Sequence, residues 1–99
     1  MLDKLTQEDF AKHLNQRFRL RSDAGDLQLE LIEATAIRTT GTPPDGKRAP
    51  FSVVFRGPKE VPLAQMMYDL EHREMGRIGL FMVPIGPDGQ GMLYEVVFN

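Results

Sequence analysis

A run of alternating residues closed by proline at both ends constrains the fold more than any other feature of this sequence. Between Pro50 and Pro58, the side chains of Phe51, Val53 and Phe55 fall on one face of an extended chain. Aromatic and β-branched residues suit a half-buried pleated surface. Proline lacks the amide hydrogen that a sheet ladder needs, so it marks the two ends of a strand. We therefore predict a strand between the two prolines, with its three apolar side chains at the centre of the core.

Five further segments predict strands, four of them by a similar alternation. They cover Arg17–Arg21, Leu27–Arg38, Met66–Arg73, Arg77–Ile85 and Met92–Phe98. In the second segment the apolar residues change from odd to even positions, as a β-bulge near Leu31–Glu33 would produce. The fourth segment is apolar on both faces, a pattern typical of the most buried strand of a sheet.

The residues ahead of the first strand carry the signals of a helix start. Thr6 is the predicted N-cap, and Asp9 is its capping-box partner three residues later. Leu5 and Phe10 occupy the two positions of a hydrophobic staple. We expect a short helix over Gln7–Leu14, packed as a lid against the sheet.

The connections between these segments are mostly short and rich in turn residues. Ser22–Asp26 and Gly86–Gly91 predict tight turns, and Thr39–Ala49 predicts a mobile loop. One helix and about six antiparallel strands indicate a mainly β (α+β) fold, either a small sandwich or an open barrel. The 99 residues are expected to form a single domain over 1–99.

The composition excludes several functional classes. A net charge of −2 argues against binding to nucleic acid or to an anionic membrane. The absence of cysteine excludes disulfides, a thiolate nucleophile and cysteine-ligated metal sites. The first residues lack a signal-peptide pattern, and no apolar run approaches the ~20 residues of a membrane span. We expect a cytoplasmic protein without a cofactor.

Residues that could support catalysis are few and scattered. His13 is most simply a solvated residue near the end of the helix, whereas His72 shares a strand face with Tyr68. We expect His72 to be partly buried and bonded to a backbone carbonyl. Asp69 and Glu71 alternate on the opposite face of that strand, where cross-strand ion pairing is the expected role. Two histidines alone do not make a transition-metal site.

The arginines are the remaining charged feature. Arg17, Arg19 and Arg21 form a basic stripe on the first predicted strand. No outward aromatic residues interleave for base stacking, so we interpret the stripe as protection of a strand edge. Arg56 lies on the opposite face from the phenylalanines of its strand. It is better explained by folding than by chemistry, but we keep it as a candidate site residue.

Two functions remain open. The first is a non-catalytic protein-interaction or assembly module that binds a protein partner or a second copy of the chain. Met67 and Met75 are its candidate contact residues, because methionine serves adaptable surfaces. The alternative is a small-molecule-binding barrel or a minor enzyme, with a pocket whose mouth is lined by Tyr68, His72 and Tyr94.

Several segments together carry a resemblance over most of the chain. They are Leu5-Thr6, Asp9-Phe10, Arg48-Ala49-Pro50-Phe51-Ser52, Phe55-Arg56-Gly57-Pro58, Tyr68-Asp69-Leu70-Glu71-His72, Leu80-Phe81-Met82-Val83-Pro84-Ile85-Gly86 and Tyr94-Glu95-Val96-Val97-Phe98-Asn99. In these segments the chain resembles a family of small bacterial proteins of uncharacterised function. The resemblance implies a compact β-rich domain, supplies no catalytic residues and suggests an association with phage-tail-like proteins.

Overall fold

A computed structural model describes residues 5–21, 25–37 and 50–99. The elements are α1 (Gln7–Ala11), β1 (Arg17–Leu20), β2 (Leu27–Ala36), β3 (Phe51–Gly57), β4 (Met66–His72), β5 (Gly76–Pro87) and β6 (Met92–Phe98). The six strands are antiparallel and close into a barrel in the order β1-β2-β3-β6-β5-β4. The predicted fold class is confirmed, and of the two expected architectures the chain forms the barrel, which is closed. The predicted mobile loop lies outside the described residues.

The predicted central strand is β3. It pairs with β2 on one side and with β6 on the other, and Phe51, Val53 and Phe55 are buried inside the barrel. Phe55 meets the ring of Phe18 edge-on, with 5.2 Å between ring centroids. A small barrel leaves room only for side chains in its interior. The other buried apolar residues of the core include Leu20, Leu29, Leu31, Leu70, Ile78, Leu80, Met82, Tyr94 and Val96.

Helix α1 covers one end of the barrel, as expected. The capping box between Thr6 and Asp9 is present, and Phe10 packs its ring 5.4 Å from that of Phe98. The predicted extent was wrong, because the helix ends at Ala11 rather than at Leu14. The chain reverses at Asn15, whose φ of 68° is left-handed and whose amide donates to the Leu31 carbonyl oxygen at 2.6 Å. This bond pulls the chain away from the helix axis and onto β2.

Two long strands contain the irregularities that shape the barrel. The predicted bulge in β2 is confirmed by a register shift between Leu31 and Glu33. A second shift lies in β5, between Pro84 and Gly86. The prediction that β5 is the most buried strand was wrong, since Phe81 and Ile85 remain 46% and 49% exposed and β3 has the larger buried share. No other element covers the outer face of β5 among the described residues.

The β5–β6 hairpin approaches β3 very closely. Arg56 on β3 donates from Nε and Nη2 to Asp88 Oδ2 of the hairpin, at 2.9 and 2.6 Å, and from Nη1 to Glu30 Oε1 of β2 at 3.2 Å. Asp88 Oδ1 also accepts the amides of Gln90 and Gly91. The hairpin is therefore fastened to two neighbouring strands through one guanidinium.

The barrel closes along a short seam between β1 and β4. Arg19 pairs with Glu71 in register and binds its carboxylate, and Arg21 Nη1 lies 3.7 Å from the same carboxylate. The cross-strand ion pairing expected for Asp69 and Glu71 is confirmed for Glu71, whereas no ion pair joins Asp69 to a basic side chain among the described residues. The interpretation of the arginine stripe as protection of an edge was wrong, because β1 has a strand neighbour on both sides.

We predict that Gly91→Ala lowers the free energy of unfolding by about 1–3 kcal/mol, as overpacking does. A Cβ at Gly91 would lie inside contact distance of the Gly57 carbonyl oxygen and 2.9 Å from Arg56 Cγ. Gly79→Ala is the matched control, because its Cβ would meet nothing closer than 3.6 Å. We expect that substitution to be neutral or to stabilise by about 0.4–1 kcal/mol. Urea denaturation measures both, and equal effects would contradict the described packing.

Candidate functional site

His72, expected at a pocket mouth, is instead held on both ring nitrogens at the end of β4. Its Nδ1 accepts the amides of Glu74 and Met75 at 3.1 and 3.2 Å. The hydrogen therefore resides on Nε2, which donates to Gln16 Oε1 at 2.8 Å. The expected backbone bond exists, but it comes from amide donors and not from a carbonyl. Neither nitrogen is left to bind a ligand.

His13 belongs to the same cluster, so the expectation of a solvated residue was wrong. It is only 7% exposed, and its Nδ1 lies 3.0 Å from Gln16 Oε1. Its ring centroid is 4.3 Å from that of His72. One amide oxygen thus accepts from both imidazoles. Sequence reasoning missed Gln16, since nothing in the local pattern distinguishes it from a solvated glutamine.

The electrostatics of this cluster favour the neutral form of the His72 ring. Burial lowers the pKa of His72, and the neighbouring His13 lowers it further, while Glu74 acts in the opposite direction. His13 Nε2 is 3.9 Å from Glu74 Oε2. Within residues 5–21, 25–37 and 50–99, no group of three or more His, Cys, Asp or Glu side chains is placed to hold a metal ion. The cluster is best explained as a partnered polar insertion in the core.

The two tyrosines of the expected pocket hold the β3–β4 connection instead. Tyr94 is fully buried, and its Oη accepts the amide of Leu63 at 2.8 Å. Tyr68 Oη donates at 2.7 Å to the carbonyl oxygen of Ala64, the residue that follows Leu63. Tyr68 and His72 are roughly 13 Å apart along β4, given a rise of ~3.3 Å per residue. The three residues therefore do not converge on one mouth.

Two open clefts lie on the barrel surface, and the charges in both are already paired in part. A cleft of about 480 Å³ is lined by Arg19, Glu71, His72, Arg73 and Gly76. The other, of about 360 Å³, is lined by Arg17, Gln28, Leu29, Glu30, Arg56, Gly57, Pro58 and Gln90. The Arg56 guanidinium lowers the pKa of the Asp88 carboxyl by hydrogen bonding to it. Arg56 thus acts as a structural link between strands, in line with the folding role expected for it.

Met67 lies in an exposed band that the sequence only partly indicated. It is 56% exposed and stands opposite Phe81 in the β4–β5 register. Val83 opposes Glu95 at the end of the paired β5–β6 register, and continuing that register by two residues places Phe81 beside Val97 on the outer face. Val97 is 50% exposed. We call Met67, Phe81 and Val97 the apolar row.

Met75, the other methionine proposed for contact, has a different environment. It is partly buried and packs against the hydrophobic core. Its amide is also bound to His72 Nδ1. Of the two methionines, only Met67 has the exposure that a contact residue needs.

These features define a small, internally packed antiparallel β-barrel domain with a helix over one end and an apolar outer face. The chain belongs to the family described as Domain of unknown function (DUF6916), whose model matches residues 5–98. No curated protein and no solved structure matches the chain. In the part of the chain that the structure describes, no helix is long and apolar enough to cross a membrane.

We predict that acid destabilises the fold well above the range where carboxylates titrate. Unfolded His72 protonates as the pH falls through about 6.5, whereas the folded ring, with its lowered pKa, stays neutral. Stability is therefore full above about pH 6.5 and falls below it, by at most about 1.4 kcal/mol per pH unit for this group. His72→Gln should flatten this slope in urea denaturation between pH 7 and 5. If the slope of stability against pH is unchanged in His72→Gln, the assignment of His72 as a buried, neutral ring is contradicted.

We also predict unequal effects of removing the two tyrosine hydroxyls. Tyr94→Phe leaves the Leu63 amide without its acceptor and should cost about 0.5–1.5 kcal/mol of folding free energy. Tyr68→Phe should cost less, because its bond to Ala64 is exposed and water can replace it. Hydrogen exchange at the Leu63 amide should accelerate only in the first variant. Faster exchange of the Leu63 amide in both variants would contradict the assignment of Tyr94 Oη as its acceptor.

Proposed function

We propose that this domain is a non-catalytic protein-interaction or assembly module that binds another polypeptide through the apolar row. The observation that supports the proposal most directly is the half-exposure of Met67, Phe81 and Val97 on three adjacent strands. Monomeric proteins rarely expose contiguous apolar patches larger than about a few hundred Å², and larger patches mark interaction sites. Aromatic side chains and methionine are also enriched at protein interfaces.

The partner of such a surface is expected to pack on side chains. Each of the six strands has a neighbour on both sides, so the barrel offers little unpaired edge to which a partner strand could add. Face-on contact uses the outward residues instead. An aromatic residue at the centre of the row, Phe81, is the natural anchor, because a few central residues carry most of the energy of an interface.

The alternative, a ligand pocket or minor enzyme, has less support. The hydroxyls of Tyr68 and Tyr94 and both nitrogens of His72 already have partners within the described chain. A site for a small molecule needs convergent polar groups around a concave apolar pocket. These residues instead occupy separate positions in the barrel.

The proposal extends to the setting in which the domain works. The resemblance described above supports a bacterial protein that assembles with phage-tail-like components, and the sequence pattern at its start favours a cytoplasmic location. The interior of the domain is filled by its own side chains, and the apolar row faces outward. Both features suit a protein that assembles with other proteins. The match shows that the chain is a member of the family. Because the function of the family is unknown, the match does not favour either candidate function.

Panning of a phage-displayed random peptide library on the immobilised domain tests this proposal. We predict that selected peptides bind wild-type protein and bind Phe81→Ser at least about tenfold more weakly, a difference of about 1.4 kcal/mol. Val61→Ser is the matched control, because Val61 is 43% exposed in the β3–β4 connection, outside the row. It should bind as wild type does.

Two outcomes contradict the proposal. The first is a library that yields no specific binder. The second is a set of binders that treat Phe81→Ser and Val61→Ser alike. Since both residues are exposed, unfolding curves of both variants should overlap that of wild type. That comparison separates lost contacts from lost folding.

A further inference from the structure

We infer that the partner of the apolar row carries lysine or arginine on both sides of its apolar contact residues. This inference rests on the proposed function and adds the chemistry of the partner. It follows from the two carboxylates that flank the row. Asp69 lies two residues beyond Met67 on β4, and Glu95 lies two residues before Val97 on β6.

The register places these carboxylates on opposite sides of Phe81. Asp69 pairs with Gly79, two residues before Phe81, and Glu95 pairs with Val83, two residues after it. Asp69 Oδ1 lies only 3.6 Å from the position that a Cβ of Gly79 would take. The Asp69 carboxylate therefore leans over the glycine towards β5, at one border of the row.

The two carboxylates differ from three other acidic side chains of the barrel. Glu30, Glu71 and Asp88 each contact an arginine of this chain. Among the described residues, no ion pair joins Asp69 or Glu95 to a basic side chain. The apolar row is thus bordered on two sides by negative charge that the described part of the fold does not neutralise.

Charge disfavours a second copy of the chain as the occupant. A dimer formed by contact between two copies of the row would bring Asp69 and Glu95 of both copies into one interface, and like charges brought together in an interface are costly. A different polypeptide with basic groups at both borders avoids this repulsion and gains complementary charge.

The geometry also gives the spacing of those basic groups. Asp69 and Glu95 are two strands apart laterally and offset by four residues along the strands. With ~4.8 Å between strands and ~3.3 Å per residue, their Cα atoms are roughly 16 Å apart. The partner should therefore present basic side chains at about that separation, with apolar side chains between them.

The panned peptides provide the probe for this inference. We predict that Phe81-dependent peptides carry lysine or arginine on both sides of an apolar centre. Asp69→Asn and Glu95→Gln should each weaken their binding about two- to fivefold, as loss of an exposed ion pair does. Raising the salt concentration from 50 to 500 mM should weaken binding to wild type by more than it weakens binding to the double variant. Glu60→Gln, on the exposed β3–β4 connection, is the matched control and should have no effect.

The outcomes separate this inference from the proposed function. Phe81-dependent peptides without basic residues, or with binding insensitive to Asp69→Asn and Glu95→Gln, overturn the inference and leave the interaction module intact. Binding that is independent of Phe81 overturns both. Dimerisation of the free domain through Phe81, detected by light scattering and abolished by Phe81→Ser, would also overturn the inference.

Discussion

The structure depends on filling the interior of a closed barrel that has only six strands. Side chains must occupy that interior completely, since an unfilled space of even one methyl group is costly. Every polar group that is buried must then have a hydrogen-bond partner, as His72 has in Gln16 and two backbone amides. The same constraint leaves no room for a Cβ at Gly57, which would lie 2.7 Å from Cδ2 of the buried Leu29. Candidate site residues such as His72 and Tyr94 thus use their polar atoms in hydrogen bonds that stabilise the fold.

Much of the fold could be predicted because successive side chains of a strand point to opposite faces, so apolar and polar residues alternate in the sequence. Alternation located five of the strands, and a run of apolar residues located β5. The change of phase in β2 located its bulge, and Thr6 and Asp9 located the helix start. The end of the helix could not be predicted, because it is set by the bond of Asn15 to a carbonyl on β2. Long-range contacts of this kind leave no local pattern.

The candidate site was harder to predict for the same reason. Tyr68 and His72 share a strand face, but a shared face does not bring residues to one mouth when they lie on a filled interior. The apolar pattern of β5 predicted burial on both sides. The structure leaves Phe81 exposed, and a sequence cannot distinguish an outer face covered by the same chain from one that a partner covers. The exposed Phe81, which the burial prediction missed, is the residue that most favours a function in protein binding.

The most direct test of the account locates where the domain binds small apolar probes. Titration of isotope-labelled protein with isopropanol, followed by amide and methyl chemical shifts, maps such positions without a known partner. We predict saturable shifts at Met67, Phe81 and Val97, and shifts near zero at Tyr94 and His72. Saturable shifts centred on Tyr94 and His72, with none at the apolar row, would contradict the account and favour an interior ligand site.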